Sequence, residues 1–237
     1  MKGNARVAGL LYLITVVTGM FYLGYVPSQL ATDGDAAAKV ARIVQMDTLF
    51  RLGIVAELAC QAAFLLLPLA LYRLLGGAGR TAAVLMVAFA AASVPVALAN
   101  LGHRLDVLSL LDNADYRQMF DTGQLQGQVM VQLGAYRQGL LMLEVFWGAW
   151  LLPLGYLVSK CGLLPRLLGM LLILGGLGYL ADFLATLMLP SYAVSAVADY
   201  VLLPASVGEL GTCLWLLAGA SAIRNHGALS IQPQGGT

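Results

Sequence analysis

Six runs of mostly apolar residues, each about 20 long, dominate the chain, at roughly 7–26, 50–73, 81–102, 135–158, 167–189 and 196–222. A helix of that length crosses the hydrocarbon of a bilayer, where only structures that satisfy their own backbone hydrogen bonds survive. The pattern predicts an all-α fold, a six-transmembrane-helix bundle. Composition agrees, with 60% of the 237 residues hydrophobic and 11% charged; soluble domains carry roughly 25% charged residues. A net charge of +1 gives no basis for binding nucleic acid. The apolar core of the first run exceeds the roughly 7–15 residues of a signal-peptide core, so it reads as a retained span.

Turn chemistry marks the breaks. Gly76-Gly77-Ala78-Gly79 divides the second and third runs, Cys161-Gly162 with Pro165 the fourth and fifth, and Pro190-Ser191-Tyr192 the fifth and sixth. The 27–49 connection suits a short surface helix, and the polar 103–134 connection suits an extension of span three. Residues 1–226 read as one domain and 227–237 as a flexible tail. Lys2, Arg6, Arg73, Arg80, Lys160, Arg166 and Arg224 fall at the N-terminus, the 74–80 and 159–166 turns and the C-terminus, which hold no acid. The positive-inside rule therefore predicts that both termini are cytoplasmic and that the two long loops face outward.

The chain has only three glutamates, Glu57, Glu144 and Glu209, and each falls inside an apolar run. Carboxylates are costly in hydrocarbon and mark functional sites by default. The chain divides into three helical hairpins, a pattern that suits a pseudo-repeat, and each returning helix carries one of these glutamates 15 or 16 residues before a cytoplasmic base. That spacing puts all three at one depth, about 23–24 Å from the basic belt. Asp182, 16 residues after Arg166, joins the layer from a rising helix. Expected partners lie further out: Arg137 seven residues above Glu144, Arg51 six above Glu57, Gln61 on the face of Glu57, and Asn100, His103 and Arg104 at the end of span three. Trp147, Trp150 and Trp215 are candidates for an aromatic wall beside Glu144 and Glu209. Gly175, Gly178, Asp182 and Ala185 form a small face that allows close helix approach. Pro204 is expected to kink span six.

Other chemistry lacks its residues. Cys60, Cys161 and Cys213 are scattered, without a nearby histidine, so neither a disulfide nor a metal site is expected. No metalloprotease, nucleophile-elbow, P-loop or dinucleotide motif is present, and no cofactor is implied.

Several segments carry a family likeness: Ala5-Arg-Val-Ala-Gly-Leu-Leu-Tyr-Leu-Ile14, Leu49-Phe-Arg-Leu-Gly-Ile-Val-Ala-Glu57, Leu163-Leu-Pro-Arg-Leu-Leu-Gly169, Gly175-Gly-Leu-Gly-Tyr-Leu-Ala-Asp182, Leu189-Pro-Ser-Tyr192, Leu203-Pro-Ala-Ser-Val-Gly-Glu-Leu210 and Leu214-Trp-Leu-Leu217. In this order, over nearly the whole chain, they resemble the bacterial membrane proteins grouped as domain of unknown function 4386. The resemblance implies a multi-pass protein of the bacterial inner membrane and no established activity. It departs at position 57, where the family frequently has Asp, and around Glu144, whose setting is less typical.

These residues favour an outward-facing polar pocket within the membrane that binds or transports a small amphiphilic or cationic molecule. Arg51, Glu57, Gln61, His103, Arg104, Arg137, Glu144, Trp147, Asp182 and Glu209 are its candidate residues. The alternative is an intramembrane enzyme acting on a lipid or isoprenoid, with Asp182 and Glu209 as acid and base. A structural or regulatory membrane subunit is the third reading. Membrane lipids are the expected surroundings, and a homo-oligomer is compatible with the sequence.

Overall fold

The computed structural model describes residues 2–189, 191, 192 and 195–226, which leaves the expected 227–237 tail outside the described residues. Helix α1 (Lys2–Gly19) runs through a π-helical turn, Met20–Tyr25, into α2 (Val26–Gln29). A surface helix, α3 (Ala36–Gln45), precedes α4 (Asp47–Leu75), and a 3-10 turn at Gly76–Ala78 leads to α5 (Arg80–Asp112). Then follow α6 (Ala114–Met119), α7 (Thr122–Lys160), α8 (Arg166–Met188), α9 (Ala196–Tyr200) and α10 (Leu203–His226). Six helical segments are long and apolar enough to cross a membrane: Asn4–Gln29, Asp47–Ala78, Arg80–Asp112, Thr122–Lys160, Arg166–Met188 and Ala196–Ala218. Leucines such as Leu10, Leu66, Leu167, Leu174 and Leu214 are exposed on the bundle's outer face, where lipid replaces water.

The long helices form a closed ring. Each packs on its neighbour in the order α1, α4, α5, α7, α8, α10, and α10 closes back onto α1. Close approach comes from missing side chains. A Cβ on Gly155 would stand 2.6 Å from the Gly169 carbonyl oxygen, and one on Gly148 2.7 Å from that of Gly176, so α7 and α8 touch backbone to backbone. The expected small face of α8 packs on the other neighbour, with Gly175 against Ala205 and Gly178 against Val201.

At 39 residues, α7 is far longer than a bilayer requires; at about 1.5 Å per residue it extends well beyond the hydrocarbon. It begins with a reciprocal cap in which Asp121 accepts from the Gln124 backbone and the Gln124 side chain accepts from the Asp121 backbone. The turn from α7 to α8 needs Gly162, whose φ of +67° suits a residue without a Cβ. Pro204 follows directly on a break in span six, which lies in the turn where a proline's ring and missing donor disturb a helix. The helix is interrupted at Val201 and Leu202, and Pro204 sits in the first turn of α10. There its missing N–H costs no hydrogen bond.

Two apolar clusters bracket a polar layer. One, toward the end with Arg73, Arg80, Lys160 and Arg166, includes Leu67, Leu71, Met86, Leu151, Leu154 and Leu172. The other lies under α3 and joins Val26, Leu30, Ile43, Phe50, Ile54, Leu101, Val107 and Val129. Between them lie the buried polar residues Glu57, Gln61 and Asn100.

Candidate functional site

The first polar cluster is built around Arg104, which is only 4% exposed. Positions 50, 53 and 57 share one face of α4, and that face makes its cradle. Phe50 lies under the guanidinium at 4.8 Å and its carbonyl accepts from Nη2 at 3.5 Å. Gly53 leaves room, since a Cβ there would stand 2.7 Å from Nη2. Glu57 Oε2 pairs with Arg104 Nη1 at 3.3 Å and accepts from Tyr136 Oη at 2.7 Å. The Tyr136 ring also lies 5.3 Å from the guanidinium carbon. Glu57 Oε1 is buried and lacks a hydrogen-bond partner among the described residues. Beside this cluster, Asn100 Nδ2 donates to the Tyr136 carbonyl at 3.0 Å, and His103 Nδ1 lies 2.7 Å from Gln132 Oε1. Both contacts tie α5 to α7.

Arg51 is not the partner of Glu57. Six residues along a helix is a rotation of about 240°, so Arg51 points outward. It pairs there with Asp47 at 2.8 Å and with Asp112 at 2.5 Å, both exposed. Arg137 is likewise exposed and does not meet Glu144. It stands near Lys39 on α3, whose ammonium is held below its ordinary range by partial burial and by the Arg137 charge.

Glu144 instead lies beside Asp182 across α7 and α8, and its buried Oε2 has no hydrogen-bond partner among the described residues. Two like groups side by side distinguish this pair from the Glu57 ion pair. Tyr192 Oη closes the cluster by donating to Asp182 Oδ1 at 2.7 Å. Burial and this contact push the Tyr192 phenol up to about 12.

Glu209 occupies a third setting, a cavity of about 400 Å³. Tyr12, Tyr22, Phe64, Trp147, Trp150 and Tyr179 line it together with Gln61, Cys60 and Ser206. Tyr12 Oη donates to Glu209 Oε1 at 3.5 Å. The aromatic walls brace one another, Phe64 edge-on to Trp150 at 4.9 Å and Trp147 edge-on to Tyr179 at 5.9 Å. Trp215 is not part of the wall; it is exposed and its indole donates to the Leu163 carbonyl at 3.0 Å.

The four carboxylates therefore do not line one chamber. Glu57, Glu144 and Asp182 are absent from the cavity lining, where Glu209 is the sole acid. Asp182 and Glu209 are not an adjacent acid/base pair either, because Asp182 is engaged by Glu144 and Tyr192. Tyr179 lies within electrostatic reach of Glu209, Glu144 and Asp182, which links the clusters without merging them. Tyr12, Tyr136, Tyr179 and Tyr192 were not singled out as site residues from the sequence, although each carries a hydroxyl inside or beside an apolar run. No group of three or more His, Cys, Asp or Glu side chains able to hold a metal ion occurs among the described residues.

The chain belongs to the family described as Domain of unknown function (DUF4386), which matches residues 7–219. No curated protein and no solved structure matches it.

Proposed function

We propose that this DUF4386 member binds a small organic cation or cationic amphiphile, with the positive group held against Glu209 inside the aromatic cavity. The observation that carries this reading is the lining itself: six aromatic side chains around one carboxylate, with no basic residue among them. A desolvated cation over an aromatic face gains about 2 kcal/mol, and quaternary ammonium groups favour such cages. A volume of about 400 Å³ also falls within the usual range for a small-ligand site. Ligand binding of this kind is the first step of transport as well as of sensing.

We further propose that both termini face the cytoplasm across a bacterial inner membrane. Support comes from the basic, acid-free ends of the hairpins. The enzyme reading has less support, since its two proposed carboxyls sit in different clusters.

Thermal unfolding of the purified protein tests the binding. Hexyltrimethylammonium is expected to raise the transition temperature in a concentration-dependent way, while its neutral carbon isostere does not. Glu209→Gln should weaken the effect at least tenfold. Equal stabilisation by the charged and neutral compounds would end the proposal.

A further inference from the structure

We infer that the ligand is a single-chain cationic amphiphile already resident in the bilayer, which reaches Glu209 sideways, between the π-helical turn and the start of α10. The inference rests on the cation-binding reading above and adds the ligand's class and its route.

Packed apolar clusters lie toward both ends of the bundle. Toward the α3 end stands the buried cluster of Phe50, Ile54, Leu101 and Val129. Toward the opposite end, Leu67, Leu71, Leu151 and Leu154 are fully buried. The exposed lining residues, Met20, Leu23, Gly24, Ser206 and Leu210, all belong to the π-helical turn or the start of α10. Met20 and Leu23 of the π-helical turn are 64% and 41% exposed, and Leu210 of α10 is 39% exposed. All three belong to segments long and apolar enough to cross the membrane, so this mouth opens on hydrocarbon.

The backbone at the mouth is correspondingly bare. Gly19 and Gly24 both line the cavity; a Cβ on Gly24 would meet nothing within 4 Å, and one on Gly19 only Cys60 Sγ at 4.0 Å. π-helical turns within α-helices occur frequently at functional sites, and here the turn supplies one lip. A freely hydrated cation would lose its water shell on such a route. An amphiphile arrives with its chain already in lipid and leaves that chain in the apolar gap while its head meets Glu209. One gap between two helices suits one chain.

Photolabelling in phosphatidylglycerol nanodiscs tests the route, using dodecyltrimethylammonium with a diazirine on the chain close to the ammonium head. Adducts should map to Met20, Leu23 or Leu210. Excess unlabelled amphiphile and Glu209→Gln should each reduce them at least tenfold. Leu210→Trp, which fills the mouth away from the carboxylate, should reduce them with the unfolding transition retained. Suppose instead that hexyltrimethylammonium stabilises the parent but not Glu209→Gln, while adducts fall in the 27–49 or 103–134 connections or ignore Glu209. The sideways route is then wrong and the cation site stands. If neither probe depends on Glu209, both readings fall.

Discussion

Tyr136 Oη and Arg104 Nη1 converge on the same oxygen of Glu57, at 2.7 and 3.3 Å, so one carboxylate joins α4, α5 and α7. The pair is almost wholly withdrawn from solvent, with side-chain exposures of 5% for Arg104 and 1% for Glu57. Removing one partner of such a pair leaves a buried charge uncompensated, at a cost of about 3–5 kcal/mol.

Glu57→Gln is therefore expected to be among the most destabilising amide substitutions in the chain, measured by thermal or denaturant unfolding in detergent. The double substitution Glu57→Gln with Arg104→Met should recover most of the loss, because it removes the stranded guanidinium. A double variant no more stable than Glu57→Gln alone would show that the charge pair is not what holds these helices.

Glu144→Gln should behave differently. Glu144 lies beside another carboxyl, and an amide there removes the like-group contact and can donate to Asp182. Its unfolding free energy should stay within about 1 kcal/mol of the parent, the range of an ordinary hydrogen-bond change. A loss as large as that of Glu57→Gln would contradict the assignment of Glu144 and Asp182 as a carboxyl pair.

The α7–α8 seam gives a steric prediction. Gly155→Ala would bring a methyl 2.6 Å from the Gly169 carbonyl oxygen and 2.7 Å from Ile173 Cγ1. Overpacking of this kind typically costs about 1–3 kcal/mol. Gly102→Ala on α5 meets nothing within 4 Å, so it should gain about 0.5–1 kcal/mol from restricting the unfolded backbone. The opposite signs can be read in one set of melting curves.

The spans were legible because they depend on spacing along a helix. Length against bilayer thickness selects the six helices, and a constant offset from the basic ends is what singles out Glu57, Glu144, Asp182 and Glu209. Depth does not give rotation or pairing. Arg51 and Arg137 had suitable heights, but both turn outward to solvent-side partners or open surface. The tyrosines went unnoticed because a tyrosine in an apolar run resembles an ordinary core aromatic until a helix from elsewhere brings a carboxylate to its hydroxyl. The segment Leu49–Glu57 could have been read further: Phe50, Gly53 and Glu57 share one helical face, and that face is the cradle of Arg104. The break at Val201 and Leu202 lies in the turn before Pro204, so the disturbance expected of that proline takes the form of an interruption.

The most direct test of the cation site uses the two tryptophans in its wall. With Trp215→Phe as background, Trp147 and Trp150 are the only indoles left, and both line the cavity. Titration with N-hexylpyridinium, a cationic quencher of indole fluorescence, should give saturable quenching when Glu209 is present. In Glu209→Gln the curve should become shallow and linear. Identical curves with and without the carboxylate would contradict a cation site at Glu209.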